Sequence, residues 1–302
     1  MEATSERDLF APILSSEALM GPFLLTGRLF MTGIFAFYIC SEIARIQPSV
    51  FLYFAIAVQL AGIVLIALGY KTRLAALIFS GGILATLLFR SSAGLTTGFE
   101  VTMLKDLAIA AGFLFVFAYG PGPLSVDAHQ SRSNAKAVAH PSGHSLFSPI
   151  LRNNLVMGPL LFGGRILASA VFFVYGTHKF LDTPGTRVYM ENHNAHVPTN
   201  LVYLAIVTQL VFPLLVLLGY KTRYGALALS GFCLIATSLF HSDFSNHAEV
   251  EQFALDFAIA GGFFFMFAYG PGPLSLDAWR SHARVAVEPK LASVKHDVSP
   301  AR

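Results

Sequence analysis

Polar positions along this chain are few, and they fall in bunches. Between them run apolar stretches of about twenty residues, at 23–41, 50–70, 74–90 and 101–119 in the first half and at 160–180, 201–220, 224–241 and 253–269 in the second. Roughly 20 residues of helix cross a hydrocarbon core. The pattern predicts an all-α integral membrane protein with eight transmembrane helices. It also repeats. Residues 69–73 and 219–223 both read GYKTR, residues 119–125 and 269–275 both read YGPGPLS, and each pair lies 150 residues apart.

A short basic turn joins the second and third runs of each half, and a Gly-Pro exit ends the fourth, since neither residue continues a helix well. Two tandem four-helix bundles are therefore expected. An even number of spans makes them parallel repeats about an axis along the membrane normal. Each half also opens alike. Phe10-Ala-Pro-Ile-Leu14 and Met20-Gly-Pro22 recur as Phe147-Ser-Pro-Ile-Leu151 and Met157-Gly-Pro159. Proline suits a first helical turn, so a short interfacial helix is expected before each first span. The resulting division is an N-terminal segment 1–22, a first unit 23–128, a polar cytoplasmic linker 129–146, a second unit 147–280 and a flexible tail 281–302. Small residues (Gly81-Gly82, Ala110-Ala111-Gly112, Gly261-Gly262) mark where helix backbones are expected to approach closely in lipid.

Composition sharpens this picture in one respect. Only 12% of residues are charged and 55% are hydrophobic, against about 25% charged in soluble domains. A net charge of +3 with no nucleic-acid motif excludes a nucleic-acid partner and leaves the basic residues as topological signals. With both termini inside, thirteen lysines and arginines fall on the inner side and five outside, with Arg28 and Arg165 set apart. Cytoplasmic termini in a bacterial inner membrane are expected. Residues 1–18 carry four acids and no long apolar core, so no cleaved leader is expected. Cys40 and Cys233 are not repeat equivalents, which argues against a disulfide.

The candidate chemistry lies where the copies differ. Aligned on Gly27-Arg28 and Gly164-Arg165, the first copy reads Ser41-Glu42 where the second reads His178-Lys179. The third run ends Phe89-Arg90 in the first copy and Phe240-His241 in the second. The second copy adds His193, His196, Asp243 and His247 on the side expected to be outer. Ionisable groups at the ends of spans are functional candidates, and histidine exchanges protons near neutral pH, donates to carbonyls or ligates metals. Asp106 and Asp256 recur within apolar runs and need partners. The Gly-Arg arginines either snorkel to an interface or pair with those acids, although the two groups are expected at different depths.

Residues 160–278 resemble the DoxX family of four-helix bacterial membrane proteins. The resemblance rests on Gly164-Arg165, Gly176-Thr-His-Lys-Phe180, Leu218-Gly-Tyr-Lys-Thr-Arg223, Phe240-His241 and the exit Gly270-Pro-Gly-Pro-Leu-Ser-Leu-Asp277. Residues 23–128 match in turn and exit only, and the tandem form departs from the usual single unit. The resemblance implies a quinone-associated membrane subunit of an oxidoreductase, working with other redox subunits. On that footing His178, Lys179 and His241 are the expected catalytic residues of a quinone pocket. His178, His241, Asp256 and Arg165 are the cofactor-binding candidates, and the first unit's site is degenerate. Two rivals remain. One is a metal-handling protein using His193, His196, His241, Asp243 and His247; the other is a non-catalytic scaffold that recruits redox partners.

Overall fold

A computed structural model describes residues 9–45, 50–92, 101–137, 147–192 and 198–281. The regular elements among those residues are all helices, with α1 (Ala11–Ser15), α2 (Glu17–Arg45), α3 (Val50–Leu68), α4 (Thr72–Ser92), α5 (Val101–Tyr119) and α6 (Val126–Ala137) in the first half. The second half holds α7 (Ser148–Arg152), α8 (Asn154–Leu181), α9 (Thr183–Asn192), α10 (Thr199–Leu218), α11 (Thr222–Phe240) and α12 (His247–Tyr269). Among the described residues, six helices are long and apolar enough to cross a membrane: α2, α4, α8, α10, α11 and α12. The chain is a helical membrane protein. The short helices α1 and α7 carry a proline in their first turn, Pro12 and Pro149, as the sequence suggested. Residues 129–137, expected as linker, instead continue α6, a polar helix.

The GYKTR turns owe their shape to local chemistry. Gly69 and Gly219 sit at φ +72° and +66°, a left-handed conformation that a side chain disfavours. Tyr70 N–H then bonds Leu65 O, and Tyr220 N–H bonds Leu215 O, closing each helix with a Schellman arrangement. Lys71 and Lys221 are also left-handed, at φ 46° each. An acid from the exit motif holds each of them. Asp277 accepts from Lys221 N, Thr222 N and Thr222 Oγ1 at 2.8–3.0 Å, and Asp127 does the same for Lys71 and Thr72. The start of the third long helix in each half is thus capped by a residue 55 positions further on.

Arg28 and Arg165 explain themselves here, and neither expectation for them holds. Both are almost wholly buried, at 0% and 1% exposure. Arg28 donates to Ile66 O and Leu124 O, and Arg165 donates to Leu274 O. Neither snorkels, and neither reaches Asp106 or Asp256. Ile66 O belongs to the last turn of α3, where carbonyls lack intrahelical partners and carry the negative end of the dipole, and Leu124 O and Leu274 O lie in the two exit loops.

The two halves interleave and do not stand as separate bundles. α2 packs most extensively on α12, α8 packs on α5 and α10, and α5 and α12 lie against each other at the centre. Glycine sets these crossings. A Cβ on Gly112 would lie 2.9 Å from Gly262 Cα, and one on Gly261 would lie 2.5 Å from Gly27 O, so the backbones touch. Gly81 and Gly82, grouped with these by the sequence, face nothing within 4 Å. At the exit end, Tyr119 and Tyr269 stack with centroids 4.8 Å apart and planes inclined by 11°. Phe10 packs on Tyr224 and Phe267 of the second half, and Phe147 packs on Phe117 of the first.

Candidate functional site

Between α8, α10, α11 and α12 lies a cavity of about 870 Å³, bounded also by α5 and α9. Its walls are apolar, with Phe172, Phe212, Phe232 and Ile235 among them. One polar cluster breaks that lining. Lys105, from the first half, is 5% exposed and donates to Gln252 Oε1 and Asp256 Oδ1, both at 2.7 Å. Of the recurring acids, Asp256 therefore has a lysine partner, supplied from the position where the second copy carries Leu255.

Lys179 sits on the last turn of α8 and also lines the cavity. Helical side chains lean toward the helix N-terminus, so residue i+4 reaches back over residue i. Lys179 Nζ accordingly lies 5.1 Å from the centroid of Tyr175, and Lys105 Nζ lies 5.8 Å from the same ring. Gly176, between them, lets α8 approach α10. A Cβ there would come within 3.1 Å of Gln209 Cβ, Leu210 Cδ2 and Gln209 O. Pro213 lacks the N–H that would have bonded Gln209 O, so this stretch of α10 departs from a regular ladder beside the cavity. The Gln209 side chain is 4% exposed, and its amide oxygen has no hydrogen-bond partner among the described residues.

His241 caps the end of α11, and its Nδ1 lies 2.6 Å from Glu249 Oε2. Glu249 stands in the first turn of α12, which begins at His247 and so takes in residues the apolar pattern left as loop. A carboxylate on Nδ1 fixes the imidazole tautomer and leaves Nε2 as the accepting nitrogen. Both side chains keep slight solvent access, at 16% and 17%.

The DoxX family model matches residues 160–242, from α8 through the end of α11. Inner membrane protein YqjF of Escherichia coli K12 is 35% identical over 113 residues, which is 37% of this chain and 85% of YqjF. This chain belongs to the DoxX family. Inner membrane protein YphA of the same organism is 29% identical over 123 residues, 39% of this chain and 88% of YphA. No solved structure gives a significant match.

Within this DoxX protein, the residues singled out by sequence separate into three groups. His178, Lys179, His241 and Asp256 all line the one cavity, with His178 exposed at its margin. Arg165 is not among its lining residues and donates instead to Leu274 O of the exit. Among the metal candidates, His193 and His196 lie outside the described residues. Asp243 is exposed and accepts from Ser245 Oγ and Ser245 N, bonds that hold its carboxyl below the usual range. His247 packs its ring on Phe37, centroids 4.9 Å apart. Among the described residues, no three His, Cys, Asp or Glu side chains come together as a metal site.

Sequence reasoning missed Lys105, Glu249, Tyr175 and Gln209 as members of this site, and it missed α9 as a helix. The signal for α9 was available. Asp182-Thr-Pro184 places an acid before a proline at the start of a turn, and Asp182 Oδ1 accepts from Gly185 N at 2.9 Å. Met190 of α9 is 6% exposed and packs with Val202, Ile206 and Phe240, which fixes the helix over the cavity.

Proposed function

We propose that the cavity binds the headgroup of a membrane quinone or quinol, and that the chain is the quinone-interacting subunit of an oxidoreductase complex in the bacterial inner membrane. The carrying observation is the joining, in one apolar cavity, of a His241–Glu249 pair with slight solvent access and a buried Lys105–Asp256 pair. A quinol needs an apolar chamber for its ring, a base for its protons and charge stabilisation for its oxygens.

In this reading the quinol hydroxyl donates its proton to His241 Nε2, and Glu249 stabilises the imidazolium that forms. His178, at the margin, exchanges protons with solvent. Lys179 stabilises the negative charge that develops on the deprotonated oxygen. Two electrons leave the quinol for a redox cofactor of a partner subunit, and two protons leave for the aqueous side, yielding quinone. The reverse sequence reduces it.

The same reading takes α2–α5 as the four spans of a first repeat and α8, α10, α11 and α12 as those of a second, with both termini cytoplasmic. Support comes from the recurrence of the Asp127 and Asp277 caps and of the Arg28 and Arg165 contacts, and from the thirteen-to-five distribution of basic residues. In the second repeat's cavity the first repeat acts as a wall and supplies Lys105.

The test is extraction of lipids from protein purified gently from its own membrane, followed by mass spectrometry, with the His241→Ala variant in parallel. A quinone that co-purifies with the native protein and is depleted in the variant supports the reading. Native protein without quinone, at full occupancy of its partner, overturns it.

A further inference from the structure

We infer that the cavity takes its ligand as an amphipathic anion, with the ionised oxygen set against Lys179. This rests on the preceding reading that the cavity is a ligand site; what it adds is the ligand's charge. The argument is a census of the charged and titratable groups facing the cavity. α5 contributes Lys105, α8 contributes Tyr175, His178, Lys179 and Asp182 (the last at its end), and α9 contributes Tyr189. α11 contributes the buried thiol Cys233 and, at its end, His241, while α12 contributes Glu249 and Asp256; α10 offers only neutral polar groups such as Gln209.

Every carboxylate in that set already has a partner. Asp256 holds Lys105, Glu249 holds His241, and Asp182 accepts from Gly185 N. Lys179 differs. Among the described residues its ammonium makes no hydrogen bond and no ion pair, and the ring it lies over is Tyr175, which Lys105 also faces. A ring face restores only part of the hydration that an ammonium loses, and leaving a cation uncompensated in an apolar chamber is costly. Backbone direction sends Lys179 back along α8 toward Tyr175 and the cavity and away from the nearer helix end, so snorkelling does not relieve it.

The apolar walls set the rest of the ligand. Phe172, Phe212 and Phe232 fit a hydrocarbon or fused-ring body, not a soluble anion. An ionised oxygen on such a body is the shared chemistry of two sources: a hydroxyquinone, or the quinolate left in place once His241 has taken a quinol's proton, and a long-chain fatty acid.

Native mass spectrometry of the full chain in nanodiscs would separate these with four probes. They are a 3-alkyl-2-hydroxy-1,4-naphthoquinone, which ionises near neutral pH, its 2-methoxy analogue, which cannot, palmitate and methyl palmitate. The expected result is binding of each anion at least tenfold tighter than its neutral partner. That preference should collapse in Lys179→Met and survive in Lys179→Arg. Equal binding of the hydroxy- and methoxyquinones overturns the charge inference and leaves the quinone reading standing. Palmitate bound in preference to its ester, with neither naphthoquinone bound, overturns the quinone reading and supports the anion. A preference unchanged in Lys179→Met overturns the assignment to Lys179, and no binding of any probe overturns both.

Discussion

Lys105 Nζ lies 2.7 Å from Asp256 Oδ1, joining residues 151 positions apart across the two halves of the chain. Side-chain exposures of 6% and 14% keep the pair from water. Removing one partner of a buried pair strands the other, at about 3–5 kcal/mol, whereas replacing both with apolar residues is often neutral. Lys105→Met should therefore lower the thermal midpoint in detergent substantially, and Lys105→Met with Asp256→Leu should recover most of it. A double variant as unstable as the single one would sink this account.

A second expectation concerns the central crossing. Gly112→Ala sets a Cβ against the backbone of Gly262, and no side chain can move aside to admit it. Overpacking of this kind costs about 1–3 kcal/mol. Gly81→Ala meets open space on a helix and should be neutral or stabilising by up to about 1 kcal/mol. The comparison is a thermal-shift measurement on both variants. Equal losses would show that neither glycine is a contact residue.

The exit acids make a third case. Asp277→Ala removes a carboxylate that accepts three bonds at the start of α11, where Lys221 holds a left-handed backbone. A lost cap costs about 0.5–2 kcal/mol. Limited proteolysis at the 219–223 turn should accelerate in Asp277→Ala, and less so in Asp277→Asn, which keeps an acceptor. Unaltered cleavage in both would remove the capping role.

Proton handling gives the fourth. If His241 accepts from quinol through Nε2, Glu249→Gln keeps a hydrogen bond to Nδ1 but withdraws the charge that stabilises the imidazolium. Quinol oxidation by the reconstituted complex should fall about 100-fold, with binding of the neutral quinone little changed. Turnover at the native rate would place the base elsewhere.

Much of the fold was legible because the membrane imposes it: apolar runs of fixed length and Gly-Pro punctuation leave few alternatives. His241 and Lys179 were legible for another reason, since a duplicated chain exposes the positions at which one copy departs. Lys105 was not. It belongs to the copy that appeared to lack a site, and helix order along the chain does not reveal that α5 faces α8 and α12. Glu249 was hidden because its segment is polar and reads as loop, although α12 extends through it. Arg28 and Arg165 were misjudged because only side chains were weighed as partners. Their partners are backbone carbonyls, which carry no residue signature.

The interleaving of the halves also bears on how the protein is made. Chains enter a bilayer from the N-terminus onward, so α5 is delivered long before α12 exists. Until the last span arrives, Lys105 has no Asp256 to meet, and α2 has no α12 to lie against. Until then the first half is without the contacts that α12 gives to α2, α5 and Lys105. The last helix carries both the backbone of Gly262 that meets Gly112 and the acid that meets Lys105.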